Sequence, residues 1–220
     1  LLELANGVTH LAPDGLAAHV RSCASLLGGR DAEVLLVDLD QRVLRSLADT
    51  ERSFDVDEAG PSPGWAYRLE RTARDVARDG SGQVQVGQVQ LWIQLMDSAE
   101  RLGVISVVVD DAEDEELWGA FASIVGETVV SKSTHGDTIV RAKRTKEVSL
   151  AAEMRWSLLP PLTFSCPEVA VSGILAPAHE IAGDTFDYAL NRNVLSFAVL
   201  DAMGHGLEAS RIATLAVAEY

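Results

Sequence analysis

Two aspartates near the end of the chain have the type and position to do chemistry. Asp184 precedes and Asp201 follows two β-prone runs, 185–190 and 194–200, separated by turn formers at 191–193. A two-residue loop at 192–193 makes a hairpin in which, counting outwards, Asp184 lies opposite Asp201. Directly opposed like charges destabilise a sheet, so this register makes physical sense if a cation sits between the carboxylates. The spacing therefore predicts a site for a hard cation, Mg²⁺ or Mn²⁺.

Glycines and a predicted helix follow Asp201. Gly204 and Gly206 precede a run without helix breakers, 207–220. Glycine lets the backbone approach a ligand closely, and a helix N-terminus favours an anion such as phosphate. A metal site beside an anion site is suited to the hydrolysis of a phosphate ester.

Several stretches around the acidic pair carry a family resemblance. They read Pro-Ala-His-Glu-Ile-Ala-Gly-Asp at 177–184, Phe-Asp at 186–187 and Asp-Ala-Met-Gly-His-Gly at 201–206, with an upstream helix ending in Leu-Leu-Pro at 151–160. Together they resemble the SpoIIE-type branch of the metal-dependent PPM (protein phosphatase 2C-like) serine/threonine phosphatases. The family's usual Gly-Gly-Asp is Ala-Gly-Asp here, and its usual Asp-Val-Ser-Gly-His-Gly has Ala202 and Met203 in the middle. Both departures keep the acids.

The resemblance implies a ligand set and a reaction. Asp184 and Asp201 would be metal ligands, with the backbone carbonyl of Ala202 as a third, and two Mn²⁺ or Mg²⁺ ions would activate water for attack on phosphorus. The implied substrate is a phosphorylated regulator protein, typically an anti-anti-sigma factor. His205 is favoured as a structural residue at a helix start, because it follows the aspartate by four residues rather than two. The nearby acids have no assigned role: Glu180, Asp187 and Glu208.

The resemblance covers only about the last third of the chain. In the family, further metal-binding acids come from a downstream Asp-Gly motif and a later Asp, and this sequence stops at Tyr220 and begins at Leu1 without a methionine. We therefore expect a piece of a longer phosphatase that is inactive by itself. The alternative is a non-enzymatic sensor and dimerisation module that carries an inert phosphatase remnant.

The composition limits the partners. With 18 basic and 33 acidic residues the net charge is −15, which argues against nucleic acid or an anionic membrane as partner. Cys23 and Cys166 lack metal-ligand spacing and fit a reducing cytoplasm. No apolar run approaches the roughly 20 residues that span a bilayer, and no signal peptide is apparent. These features predict a cytoplasmic protein.

The first part of the chain predicts an α+β fold with an antiparallel sheet. The pattern predicts helices at 16–27, 66–77 and 117–129, strands at 34–37, 43–47, 83–89, 91–96 and 102–109, and a loop at 49–63. This order resembles a GAF-type sensory domain from about 16 to 132, with a PAS-like domain as the near competitor. Trp65, Tyr67 and Trp92 could line a pocket, although aromatic residues at such positions are more often part of a core.

The organisation predicted for the whole chain has three parts. Residues 1–137 form the GAF-like domain, 138–161 one continuous linker helix, and 162–220 the first hairpin and helix of a PPM-type α-β-β-α sandwich. The linker is predicted as continuous because 139–159 contains neither Gly nor Pro. Apolar stripes at 117–129 and 148–159 need partners, and we therefore expect a homodimer built on these helices.

Overall fold

The chain forms two compact units, Leu1–Thr145 and Lys146–Tyr220, in a computed structural model. The structure describes residues 7, 11–97, 100–110, 114–176, 183–192, 194–204 and 206–219. The change of unit at 145–146 falls inside the predicted linker, 138–161. Each unit is described by itself below.

The first unit is built on a six-stranded antiparallel sheet. Its strands are β1 (Arg30–Val37), β2 (Val43–Ser46), β3 (Ser53–Asp55), β4 (Ala73–Arg78), β5 (Val84–Asp97) and β6 (Glu100–Val109), in the spatial order β3-β2-β1-β6-β5-β4. The central strand β6 is buried along most of its length, as a run rich in Val and Ile requires. The predicted α+β class with an antiparallel sheet is confirmed.

Four helices accompany this sheet: α1 (Leu16–Leu26), α2 (Pro63–Leu69), α3 (Glu115–Ser133) and α4 (Thr138–Lys143). The larger core cluster contains buried residues of α1, α3 and α4 together with Leu91, Ile93 and Leu95 of β5. A second cluster contains α2 residues and Val104, which lies opposite Gln94 and hence on the other face of the sheet. The sheet is therefore covered by helices on both faces.

Helix α3 confirms the amphipathic helix predicted at 117–129. Its N-cap is Asp114, whose side chain accepts a hydrogen bond from the backbone N–H of Leu117 at 3.2 Å, and acids follow in the first turn. Trp118 and Phe121 are buried against the sheet in an edge-to-face pair with ring centroids 5.6 Å apart. The apolar face of α3 is thus covered within the chain.

The helix predicted at 66–77 is wrong in its second half. Helix α2 ends at Leu69, where Glu70 adopts a left-handed conformation with φ of 51°. The chain then forms β4, in which Ala73 pairs with Trp92. Ala73, Val76 and Ala77 fit a helical stripe, but pairing with the edge of β5 gives this segment backbone partners that local spacing does not reveal.

The continuous linker helix predicted at 138–161 is also wrong. The chain forms α4, leaves the helix after Lys143, and begins a second helix, α5 (Leu150–Trp156), with Ser149 as its N-cap. The backbone carbonyl of Lys143 accepts from the Leu39 N–H at 3.0 Å, and the Thr145 hydroxyl donates to Asp38 at 3.2 Å. These contacts with the β1–β2 turn end α4 without a glycine or proline.

Two smaller differences concern the strands of the first unit. The segments predicted as separate strands at 83–89 and 91–96 form the single strand β5, and the predicted loop at 49–63 contains the short edge strand β3. Neither difference changes the antiparallel order of the sheet.

The second unit contains two hairpins and two helices. Strands β7 (Thr163–Cys166) and β8 (Val169–Ser172) form one hairpin, and β9 (Asp184–Asn191) and β10 (Val194–Asp201) form the other. Helix α6 (Gly206–Glu219) follows as predicted and packs against β9, β10 and α5. Several large apolar side chains of this unit are exposed: Leu150, Met154, Leu158, Ile174, Val194, Phe197, Val199, Met203, Leu207, Ile212 and Leu215.

Within the part of the chain that the structure describes, no helix is long and apolar enough to cross a membrane.

Candidate functional site

The β9–β10 hairpin places the two aspartates opposite each other. Asp184 pairs with Asp201, and the ladder continues inwards to Asn191 opposite Val194, so the predicted register is confirmed. Residues directly opposed in an antiparallel pair project to the same face of the sheet, so both carboxylates lie on one face. Both residues are exposed. The turn that sets this register includes Arg192 in a left-handed conformation, with φ of 48°.

The backbone around Ala202 extends this pairing by one step. The Ala202 N–H donates to the Gly183 carbonyl at 3.2 Å. A side chain at position 183 would overlap the carbonyl oxygen of Ala202, so only glycine allows this close approach. The glycine before Asp184 therefore fixes the position of the carbonyl that the family resemblance names as the third ligand.

The other acids near the motif are arranged differently. Asp187 lies an odd number of positions from Asp184 on the same strand, so its side chain projects from the opposite face of the hairpin. Glu208 is exposed and forms an ion pair with Arg211 at 3.3 Å. Glu180 and His205 lie outside the described residues. Of the acids near the motif that the structure describes, Asp184 and Asp201 are therefore the two placed opposite each other.

The donor set fits a hard divalent cation in part. Two carboxylates and a backbone carbonyl are the oxygen ligands that Mg²⁺ and Mn²⁺ prefer. Among the described residues, no group of three or more His, Cys, Asp or Glu side chains could hold a metal ion. The described chain thus supplies one incomplete side of a coordination sphere, and the metal role of Asp184, Asp201 and Ala202 stays a prediction.

A buried arginine, which the sequence pattern did not indicate, lies close to this acidic pair. Arg155 of α5 is 4% exposed, and its Nη2 donates to Ser210 Oγ of α6 at 3.1 Å. Burial lowers the pKa of Arg155, and the negative charge of Asp184 partly offsets this effect. Its Nε and Nη1 have no hydrogen-bond partner among the described residues. Such unmet donors typically cost about 1–3 kcal/mol each, and more when charged.

An open cavity of about 660 Å³ adjoins Asp184 in the second unit. Its lining is mainly apolar and comes from the exposed face of the β9–β10 hairpin and from the end of β8. Phe186 lies against Gly173 at one side, where a side chain on the glycine would overlap the ring. The acidic pair thus stands at the edge of an apolar sheet face.

A second cavity, of about 260 Å³, lies in the first unit beside the start of α2. Its lining residues are Phe54, Glu58, Pro61, Ser62, Pro63, Asp75, Val76, Arg78, Gln90 and Trp92. Of the three aromatic residues considered from the sequence, Tyr67 is buried in the core and both Trp65 and Trp92 pack against it, and Trp92 also lines this cavity. Burial raises the pKa of Tyr67 to about 12. The predicted preference for a core role is right for Tyr67.

Comparison with known proteins gives one similar structure. No family model matches this chain, and no curated protein matches it. Among solved structures it is similar to the GAF domain from Acinetobacter phosphoenolpyruvate-protein phosphotransferase, with 11% sequence identity and a TM-score of 0.45 over 61% of this chain and 93% of that one. The function of this chain therefore has to be argued from its own residues and geometry.

Proposed function

We propose that the first unit is a ligand-sensing domain and that the chain works as a signalling module. The observation that carries this proposal is the 260 Å³ cavity beside α2, which combines aromatic walls with polar groups. Ligand sites are concave, largely apolar and fitted with a few placed polar groups, and they typically measure about 300–1,000 Å³. The cavity, at about 260 Å³, is slightly smaller than this range, so we infer that its ligand is small.

The lining defines the chemistry of this ligand. Trp92 and Phe54 offer flat apolar surfaces. The amide nitrogen of Gln90 already donates to Ser106 Oγ at 2.9 Å, so its remaining function is the acceptor oxygen. The Asp75 carboxylate adds a second acceptor. We infer a small planar molecule that carries N–H donors, of the nucleobase type.

Titration with free nucleobases and nucleosides, followed by tryptophan fluorescence, tests this proposal. We expect a saturable change that is lost in Trp92→Leu and weakened at least tenfold in Asp75→Asn. Asp55→Asn is the matched control, because Asp55 is an exposed strand carboxylate that does not line the cavity. The absence of binding across the panel, or equal weakening by the control, would remove the nucleobase assignment.

A second candidate function is that of a metal-dependent phosphoserine/phosphothreonine phosphatase acting on a phosphorylated regulator protein. The Asp184–Asp201 register favours it, because opposed carboxylates on one sheet face gain stability from a shared cation. Bound Mn²⁺ or Mg²⁺ would supply an activated water and offset charge on the phosphoryl group. This chain would contribute two carboxylates and the Ala202 carbonyl to the ligands of these ions.

Phosphopeptide hydrolysis with Mn²⁺ separates the two functions. We expect no turnover by the 220-residue chain, because two carboxylates and one carbonyl cannot hold two divalent ions and position water between them. Turnover should appear in a longer form of the protein that adds further acidic ligands, and Asp201→Asn should abolish it there. An inactive longer form would leave the signalling module as the function. Turnover by the 220-residue chain would show that the assigned ligand set is wrong.

A further inference from the structure

The last residues of the first unit are bonded to the β1–β2 hairpin. We call residues 143–145 the exit segment, because the first unit ends at Thr145. The Lys143 carbonyl accepts from the backbone N–H of Leu39 at 3.0 Å, and the Thr145 hydroxyl donates to Asp38 at 3.2 Å. Asp38 is 3% exposed, and its other carboxylate oxygen accepts two backbone N–H groups of the turn. The exit segment is thus bonded to a buried carboxylate that the turn itself holds in place.

Arg45 of β2 makes a further contact with the exit segment. Its Nη1 donates to the Arg144 carbonyl, and its Nε and Nη2 donate to the Thr50 carbonyl at 2.9 and 2.6 Å. Arg45 also pairs with Ser53 of the edge strand β3. The hydrogen bonds of one guanidinium therefore tie the exit segment to the loop that leads into β3.

Strand β3 also forms a wall of the cavity in the first unit. Phe54, its central residue, lines that cavity and pairs with Leu44 of β2. Helix α2, which begins at the cavity, lies directly on the end of β3, because a side chain at Gly64 would overlap the carbonyl oxygens of Asp55 and Val56. The cavity and the exit segment therefore contact the same pair of strands, β2 and β3.

The order of β3 can respond to both places. The strand has three residues, lies at the edge of the sheet, and exposes Ser53 and Asp55. Short edge strands open more readily than central strands, because few buried contacts hold them. A ligand packed on Phe54 and an exit segment bonded to Arg45 both favour the paired form of β3. Each therefore lowers the entropy cost of the other.

We propose that the β2–β3 pair couples the cavity to the exit segment, so that a ligand in the cavity strengthens the hydrogen bonds that hold residues 143–145 on the β1–β2 hairpin. The coupling is reciprocal, because an exit segment that is bound raises the affinity of the cavity for its ligand. The effect of the ligand rests on the sensing function proposed above; the coupling between the exit segment and β3 does not.

Amide hydrogen exchange in the ligand-free 220-residue chain tests this coupling. The Val56 N–H reports on the end of β3, because it donates to the Arg42 carbonyl of the β1–β2 turn at 2.8 Å. We expect Thr145→Val to speed its exchange by about 2–10-fold, the effect of one lost hydrogen bond, and Thr145→Ser, which keeps the hydroxyl, to preserve the wild-type rate. Thr134→Val is the matched control, because the Thr134 hydroxyl bonds within its own helix, α3.

An unchanged rate at Val56 in Thr145→Val, or an equal increase in Thr145→Ser or in the control, overturns the proposal. The N–H groups of Ile105 and Val107 on the buried strand β6 report on opening of the whole unit. An equal increase at these two positions would show a general loss of stability and would also overturn the coupling.

The ligand's effect is tested with the free nucleobases and nucleosides of the fluorescence titration. We expect the tightest binder among them to slow the exchange of the Leu39 N–H, which the exit segment accepts, and Thr145→Val to weaken its binding at least about twofold. Thr134→Val should leave the affinity unchanged. Binding that alters neither the Leu39 rate nor its own affinity in Thr145→Val overturns the coupling. If none of these probes binds, the sensing function loses its support, and the exchange rates of the ligand-free chain decide the coupling.

Discussion

Tyr67 shows how burial changes the chemistry of one side chain. Its ring lies in the core of the first unit under the guanidinium of Arg101, 5.1 Å from the ring centroid, and its hydroxyl donates to Gln41 Oε1 at 3.4 Å. Burial disfavours the phenolate and raises the pKa of Tyr67 from 10.0 to about 12, although Arg101 acts in the opposite direction. The neutral phenol is therefore the form that the fold favours.

This shift predicts a loss of stability in alkali. Because the folded-state pKa of Tyr67 is the higher one, its contribution is fully present below pH 10 and is lost as the pH rises through about 12. We expect Tyr67→Phe to remove this part of the pH dependence of the free energy of unfolding, and tyrosinate absorbance to lose a group that titrates near 12. Tyr188→Phe, in the second unit, should leave that titration in place. Its disappearance in Tyr188→Phe would contradict the assignment.

The candidate site was predictable from the sequence as far as it depends on local structure. The type of turn at 191–194 sets the register, and the register alone places Asp184 opposite Asp201. The burial of Arg155 was not predictable in this way, because its hydrogen-bond partner, Ser210 of α6, lies 55 positions further along the chain. A positive charge on a short helix is ordinarily solvated, and nothing in its immediate neighbours in sequence indicates otherwise.

At the scale of elements, helix α3 is positioned by a glycine. Gly126 lies on its buried face, where a Cβ atom would overlap the carbonyl oxygen of Met96 on β5. Gly119 lies on the same helix with open space around its Cα. Replacement by alanine should therefore affect the stability of the first unit in opposite directions at these two positions.

We expect Gly119→Ala to stabilise the first unit by up to about 1 kcal/mol, because alanine has the higher helix propensity. Gly126→Ala should instead destabilise it by about 1–3 kcal/mol, because the added methyl forces α3 away from β5. Urea denaturation of the two variants, compared with the wild type, measures both effects. Stabilisation by Gly126→Ala would show that α3 can shift on the sheet without loss.

The local sequence pattern predicted well those elements whose packing in the fold matches the periodicity of their own apolar residues. Helix α3 has a capping aspartate and a continuous apolar face, and strands β1 and β6 have runs rich in apolar residues. The segment 73–78 and the linker were predicted wrongly because distant partners decide them. The edge of β5 draws the first into the sheet, and the β1–β2 turn accepts and donates the hydrogen bonds that end α4.

At the scale of the whole molecule, the structure changes which helix offers an apolar surface for the predicted homodimer. The stripe predicted on α3 is already covered by the chain's own sheet, so it offers no free surface for a partner. Helix α5, within the predicted linker, keeps an apolar stripe in solvent. Leu150 and Met154 lie four residues apart on α5, Leu158 follows in the turn after the helix, and the three are 74%, 41% and 46% exposed. Such a stripe on one side of a helix is typical of helix–helix association.

We therefore propose that two copies of the chain associate through α5. Light scattering and sedimentation should show a dimer for the wild type and a monomer for the double variant Leu150→Glu, Met154→Glu, because carboxylates in an apolar interface lose their hydration without gaining a partner. Leu26→Glu is the matched control, since Leu26 is 69% exposed at the end of α1, outside the stripe, and should leave the dimer intact. A wild-type chain that stays monomeric at high concentration would remove the dimer. Dissociation by Phe197→Glu but not by the α5 variant would place the interface on the β9–β10 hairpin instead, whose apolar face is also exposed.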